Sequence, residues 1–206
     1  VCKDKLSPNV LSLGAQPLCD DLKKIGSSKK NKLYEIELKL CKNCLTINQL
    51  HKIDQKILFP KKYNYRAALT KDVQKGMDDF TNKVSKLIKK KNKSVLDIGC
   101  NDGSLLNFFK KKGFKTFGIE PTNAHKDCSK NHKIFNEYFT KKSVTKILSK
   151  NKFIDVVTFT NVFAHIPDFQ ELIKNLKLLV PNINYLVIEN HYMGSVFKTN
   201  QFDTFY

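Results

Sequence analysis

The second half of the chain alternates short apolar runs with longer helical patterns. Four apolar runs of five to seven residues stand out: Ser94–Ile98, Lys115–Ile119, Ile154–Thr160 and Asn184–Glu189. Buried strands that alternate with helices are typical of βαβ units, which build a parallel sheet. The pattern therefore predicts an α/β fold with a parallel central sheet.

Two amphipathic helices are predicted, one before these runs and one between the last two of them. The first follows Thr70, a candidate N-cap, and repeats apolar residues at steps of three or four: Val73, Met77, Phe80, Val84 and Leu87. The second follows Asp168, and Glu171 three residues later suggests a capping box. Residues 1–60 differ, because they are short, turn-punctuated segments with one strand-like alternation over Leu33–Leu38.

Composition excludes some classes of protein. The 206 residues are 41% hydrophobic, which is enough for a core, and no apolar run reaches the length of a membrane span. We therefore expect no membrane partner. Of the 37 basic residues 36 are lysine, whereas proteins that recognise nucleic-acid sequences rely on arginine, so we do not expect a nucleic-acid partner either. Residues 1–93 carry +13 of the net +18, which could attract an anionic, phosphate-bearing substrate.

A glycine-containing turn follows the first strand of the predicted sheet. Gly99 and Gly103 enclose three residues, and a helix with apolar Leu105 and Leu106 begins directly after them. The spacing fits neither the dinucleotide fingerprint nor the P-loop. Glu120 ends the second strand, 17 residues after Gly103, where an acidic residue can accept hydrogen bonds from ribose hydroxyls.

Candidate polar residues also follow the predicted strand Ile154–Thr160. Asn161 comes directly after it, and His165 comes four residues later. Ligands of open α/β sheets bind at the carboxyl ends of the strands, so these two side chains should border the same crevice as the glycine turn.

The cysteines favour a metal site over disulfides. Cys41 and Cys44 form a C-x-x-C pair, Cys2 could supply a third ligand, and the isolated Cys19 could be the fourth. Two ordinary cysteines are the plain alternative, and a redox pair is disfavoured because the motif does not open a helix after a strand. We see no export signal, so we expect reduced thiols and a cytoplasmic location.

The glycine turn resembles motif I of class I S-adenosylmethionine (SAM) methyltransferases. The matching residues are Asp97, Gly99, Asn101 and Gly103, with Asn101 in place of the middle glycine. Nearly the whole chain resembles the sugar C-methyltransferases with an N-terminal zinc-binding domain. The matching segments, in order, are Leu11–Leu18, Cys41–Leu50, Leu58–Pro60, Tyr63–Tyr65, Asp97–Leu106, Gly118–Pro121, Asn161–Asp168, Ile188–Tyr192 and Phe202–Tyr206.

The resemblance implies a zinc-binding domain over residues 1–60, a linker with a helix over 61–93 and a Rossmann-like SAM methyltransferase sheet over 94–206. It implies structural zinc at Cys2, Cys41 and Cys44, with a fourth cysteine upstream and further catalytic groups, including the general base, after Tyr206. The implied cofactor-binding residues are Asp97, Gly99, Cys100, Asn101, Asp102, Gly103, Glu120, Pro121 and Asn161. The implied active-site residues are His165, Tyr63 or Tyr65, and Tyr206.

The implied reaction is methyl transfer from SAM to a carbon of a nucleotide-linked keto-sugar. A carbon beside a ketone must first lose a proton to form an enolate, which needs a base and donors to the oxyanion. We expect a monomer or a weak oligomer. Two other functions stay open: an RNA methyltransferase with a zinc ribbon, and a non-catalytic module that binds SAM or zinc.

Overall fold

The computed structural model describes residues 2–202, which fall into two compact units: residues 2–58 with 191–202, and residues 59–190. The strands are β1 Leu6–Pro17, β2 Leu33–Cys41, β3 Ile47–Gln49, β4 Lys93–Ile98, β5 Phe114–Ile119, β6 Lys133–Phe135, β7 Ile154–Thr160 and β8 Ile183–Glu189. The α-helices are α1 Gln55–Leu58, α2 Lys71–Ser85, α3 Ser104–Lys111, α4 Lys141–Lys150, α5 Phe169–Leu179 and α6 Met193–Thr199. Short 3-10 helices lie at Ala67–Leu69, Asn123–Asp127, Phe163–His165 and Val180–Asn182.

The larger unit is built on a five-stranded sheet in the order β6-β5-β4-β7-β8, with every pair parallel. Strand order reverses between β4 and β7, and in open α/β sheets such a switch point places a ligand crevice at the carboxyl ends of the strands. This confirms the predicted Rossmann-like α/β class. All four predicted strands are present, and β6 is an additional strand of three residues.

Alternation along the buried strands divides the core of the larger unit between two faces. Leu96 and Ile98 of β4 pack in one apolar cluster, which includes residues of α4 and α5. Val95 packs in the other, which includes residues of α2 and α3. The predicted helix after Thr70 is α2, but it ends at Ser85, and Leu87 lies beyond it and is exposed.

Side-chain caps at the helix starts agree with the sequence in part. The Asp168 side chain accepts a hydrogen bond from the Glu171 backbone N–H at 2.9 Å at the start of α5, which is the N-cap half of the predicted capping box. Thr70 occupies the N-cap of α2 but makes no side-chain capping bond. Thr140 and Ser143 form a reciprocal capping box at α4 that the sequence analysis did not identify.

The smaller unit contains an antiparallel sheet in the order β1-β2-β3. Ile36 and Leu38 of β2 are buried against Val196 of α6. Residues 191–202 therefore pack with the N-terminal sheet, although they follow the parallel sheet in sequence. Within residues 2–202, none of the helices combines the length and the hydropathy that a membrane crossing requires.

Candidate active site

The glycine turn, residues 99–103, leaves the carboxyl end of β4 and enters α3. The backbone N–H groups of Gly99 and Cys100 both donate to the Ile119 carbonyl of β5, at 2.8 and 3.0 Å. Gly99 has a φ of 75°, and a Cβ added there would overlap the Val162 side chain. Both the left-handed backbone and the close neighbour therefore require glycine at this position.

Asp97 lies beneath the glycine turn and ties β4 to β7. Its carboxylate is buried, and the Thr158 hydroxyl donates to Oδ1 at 2.7 Å. Burial raises the pKa of Asp97 to about 7, and the charge of Glu120 acts in the same direction, while the Thr158 hydrogen bond opposes the shift. Asp97 thus supports the turn from inside the sheet, and Cys100 is buried beside it in the turn.

Glu120 is buried at the carboxyl end of β5 and holds two loops. Oε2 accepts the Asn101 backbone N–H, and Oε1 accepts the Thr122 backbone N–H, each at 2.9 Å. A carboxylate has about four acceptor positions, so two backbone donors leave capacity for ligand hydroxyls. Glu120 therefore fits the ribose of a nucleoside cofactor, and the half-buried Pro121 follows it.

The carboxyl end of β7 carries a polar atom with no protein partner. Among residues 2–202, Thr160 Oγ1 is one of two buried side-chain polar atoms without a hydrogen bond. Buried hydroxyls normally have a partner, so this one suits a ligand that lies at the end of the strand. Asn161, the next residue, is exposed with a φ of 55°, and its backbone N–H donates to the Glu189 carbonyl at 2.8 Å.

A second segment, residues 61–68, lies on the glycine turn and is called the tyrosine segment below. Residues 61–66 of this segment are irregular, and Ala67 starts a 3-10 helix. Two side chains of the turn bind the backbone of the segment. Asn101 Oδ1 accepts the Ala67 N–H at 3.1 Å, and Asp102 Oδ2 accepts the Ala68 N–H at 2.9 Å.

The predicted active-site rings of residues 59–190 meet through a residue that the sequence analysis gave no role. The Phe59 ring lies edge-on to His165 at 5.4 Å and to Tyr63 at 5.7 Å, and Tyr63 lies 6.4 Å from Tyr65. Burial raises the pKa of Tyr65, and the charge of Asp102 adds to this effect, so Tyr65 is a neutral hydrogen-bonding group at neutral pH. Tyr206 lies outside the described residues.

Two further residues at this edge carried only weak signals in the sequence. Arg66 is the single arginine of the chain, and its Nη1 donates to the Tyr63 and Tyr65 carbonyls. Thr160 ends an apolar strand, and nothing in the sequence distinguishes it from the other residues of that strand. Neither a lone arginine nor a strand-terminal threonine forms a motif, so only the fold reveals their positions.

The three predicted zinc ligands of the smaller unit form one cluster. The sulfur atoms of Cys2, Cys41 and Cys44 all lie within 4.8 Å of one another, and Cys2 and Cys41 are 3.4 Å apart. Hydrogen bonding with Thr46 lowers the pKa of Cys44 to about 6, which favours the thiolate that zinc requires. Among the described residues, Cys19 is not a member of this cluster.

Two protein-family models match this chain and show how it is related to known proteins. Residues 69–203 match the family described as "Methyltransferase domain". The chain belongs to this methyltransferase family. Residues 1–59 match a second model, described as "Putative zinc binding domain". The SAM cofactor that the sequence indicates agrees with the match to the methyltransferase model. The structural zinc ion agrees with the match to the zinc-binding model and with the cysteine cluster.

Individual relatives of this methyltransferase span different parts of it. C-methyltransferase NovU of Streptomyces niveus is 24% identical over 96% of this chain and 48% of its own length. A ubiquinone biosynthesis O-methyltransferase of Coxiella burnetii is 29% identical over 44% of this chain and 40% of its own length. The chain therefore spans about half or less of the length of these relatives.

A solved structure supports the fold of the larger unit. A SAM dependent methyltransferase from Archaeoglobus fulgidus superimposes with a TM-score of 0.52 at 20% identity, covering 64% of this chain and 61% of that one. This likeness bears on the fold alone, and it agrees with the α/β class.

Proposed function

We propose that this protein transfers a methyl group from SAM to a carbon atom of a nucleotide-linked keto-sugar, through an enolate. The observation that carries the proposal is the match to a C-methyltransferase over 96% of the chain, which includes both the zinc-binding segment and the methyltransferase segment. The match to an O-methyltransferase covers only 44% of the chain, so it bears on the shared methyltransferase fold alone.

The proposed cofactor site is the edge of the sheet where β4, β5 and β7 end. The glycine turn offers close backbone approach at Gly99 and Gly103, and Glu120 has acceptor capacity left for ribose hydroxyls. Thr160 Oγ1 and Asn161 are the corresponding candidates at β7. When bound, SAM supplies an electrophilic methyl group that a substrate carbanion can attack.

The residues proposed to bind the substrate are the rings of Phe59, Tyr63, Tyr65 and His165, which lie at the same edge. Carbon methylation requires removal of a proton beside the ketone and stabilisation of the oxyanion that forms. His165 and the hydroxyls of Tyr63 and Tyr65 are suitable donors to that oxygen. Phe59 lies against His165 and Tyr63, so it fixes their rings relative to each other.

The remaining parts of the proposal concern partners and location. The +13 charge of residues 1–93 supports an anionic substrate such as a nucleotide diphosphate. Cys2, Cys41 and Cys44 would hold a structural zinc ion that stabilises the smaller unit. A cytoplasmic location suits a reaction that uses intracellular SAM and nucleotide sugars.

A competition assay tests the substrate class. The full-length protein is incubated with SAM and a panel of nucleotide-linked keto-sugars, their non-keto counterparts and total RNA, and S-adenosylhomocysteine release is measured. The proposal predicts turnover with keto-sugar nucleotides alone and no inhibition by RNA. Turnover with RNA that falls steeply with salt would instead establish an RNA methyltransferase.

A further inference from the structure

Asn101 makes four hydrogen bonds that join separate parts of the larger unit, one of which its carbonyl accepts from the Cys128 thiol at 3.4 Å. Its backbone N–H donates to Glu120 at 2.9 Å. Its side-chain Oδ1 accepts the Ala67 N–H, and its Nδ2 donates to the Tyr65 carbonyl, both at 3.1 Å. The amide thus bonds both an N–H and a carbonyl of the tyrosine segment, as a strand neighbour would.

Asparagine is the residue type that this position requires. Asn101 has a φ of 49°, in the left-handed region that glycine and asparagine tolerate best. A glycine, which the SAM methyltransferase motif has here, would permit the same turn but could make neither contact to the tyrosine segment. The departure from the motif therefore adds a connection and keeps the backbone shape.

Arg66 adds further hydrogen bonds to the tyrosine segment. Its Nη1 donates to the carbonyls of Tyr63 at 2.6 Å and Tyr65 at 2.8 Å, and its Nε pairs with Asp127. The Tyr63 N–H also donates to Asn123 Oδ1 at 2.8 Å. The segment is therefore anchored to the loop after β5 as well as to the glycine turn.

We propose that Asn101 is a positioning residue that couples the glycine turn to the tyrosine segment, so that order in the turn also orders Tyr63 and Tyr65. The inference rests on the proposed function only for the consequence in catalysis, since the contacts themselves are independent of the substrate. Binding of the cofactor at the turn would then fix the substrate-facing tyrosines. A displacement of about 1 Å at a reacting group can cost on the order of a hundredfold in rate.

The direct test is cleavage after Arg66 by an arginine-specific protease in the native full-length protein. Fragments that begin at Ala67 are followed by mass spectrometry, with and without S-adenosylhomocysteine. We expect Asn101→Gly to accelerate this cleavage about tenfold, because two hydrogen bonds that hold the closed segment are lost. S-adenosylhomocysteine should protect the wild-type segment and protect the variant much less.

A matched control separates this effect from the general consequence of replacing a left-handed asparagine. Asn200 also has a φ of 55°, and it lies in the smaller unit at the end of α6. Asn200→Gly should leave cleavage after Arg66 unchanged. Equal cleavage rates in wild-type protein and Asn101→Gly, both folded by circular dichroism, would overturn the inference.

Two further measurements keep the inference separate from the proposed function. In the wild-type protein, the Ala67 and Ala68 amides should exchange slowly with solvent, and exchange at the rate of an unstructured chain would overturn the inference without any variant. With keto-sugar substrate and saturating SAM, Asn101→Gly should lose about tenfold in kcat. If the wild-type protein does not turn over this substrate but the proteolysis result holds, the proposed function fails and the coupling stands.

Discussion

The Asn101 N–H and the Glu120 carboxylate, 19 positions apart in sequence, form a 2.9 Å hydrogen bond between the ends of two neighbouring strands. Glu120 also accepts the Thr122 N–H, so one buried carboxylate fixes the loops after both β4 and β5. The residue predicted to bind a ribose therefore also shapes the turn beside it.

Glu120→Gln tests this double role. A glutamine amide offers one oxygen, so its NH₂ group would face one of the two backbone donors. We expect the free energy of unfolding to fall by about 1–3 kcal/mol and the SAM dissociation constant to rise about tenfold. Calorimetry and thermal unfolding measure both. Glu137→Gln, which removes only a surface ion pair with Lys146, is the control and should change neither.

Asp97 makes stability depend on pH. Its pKa is raised to about 7 by burial, whereas an unfolded chain has the ordinary value of about 4. Between these values the folded state binds a proton that the unfolded state does not, so the free energy of unfolding falls as pH rises. Asp97→Asn should remove this slope and gain on the order of 2–4 kcal/mol at pH 8.

Urea unfolding between pH 4 and pH 8 measures this effect. The exposed Asp79→Asn on α2 serves as control and should retain the wild-type slope. An Asp97→Asn variant whose stability changes with pH as the wild-type protein does would contradict the assignment to Asp97.

Removing the Thr160 hydroxyl, which has no hydrogen-bond partner, should raise stability but weaken SAM binding. Thr160→Val keeps the shape and removes an unsatisfied polar atom, so stability without ligand should rise by about 1 kcal/mol. If the hydroxyl faces the cofactor, SAM affinity should fall severalfold. Ser85→Ala removes the other orphan hydroxyl among residues 2–202, on α2, and should leave SAM affinity unchanged. Loss of affinity in neither variant would exclude Thr160 from the cofactor site.

The zinc cluster predicts a difference between two cysteines. Cys41→Ser removes a buried member of the cluster, so the purified full-length protein should lose its bound zinc, about one ion per chain, and unfold at a lower temperature. Cys19→Ser should retain the metal. Metal content by mass spectrometry decides between them, and equal zinc content in both variants would contradict a Cys2-Cys41-Cys44 site.

The sequence predicted well those features that depend on local patterns. The runs Ser94–Ile98 and Ile154–Thr160 are strands because they are apolar throughout, as buried parallel strands must be. The three-residue β6 was missed, since three residues define no period. The 12-residue β1 was also missed, because register shifts interrupt its pairing and Pro8 and Gly14 read as turn residues.

The sequence predicted which residues belong to the candidate site but not the contacts between them. Glu120, Cys41 and Cys44 stood in recognisable spacings, and the structure adds their partners. The contacts of Asn101 with Tyr65 and Ala67 span 36 and 34 positions, and Phe59 meets His165 across 106. Such pairs depend on the strand order and on an irregular segment, which no local periodicity encodes.

The central claim is that the acceptor is a carbon atom of a keto-sugar. The most direct measurement uses SAM labelled with ¹³C in its methyl group, the full-length protein and a nucleotide-linked keto-sugar, followed by carbon NMR of the product. The account predicts a methyl signal at the chemical shift of a C–CH₃ group, coupled to a ring carbon beside the ketone, which the enolate regenerates when its carbon is methylated. A methoxy signal would contradict it, because the methyl group would then be on oxygen.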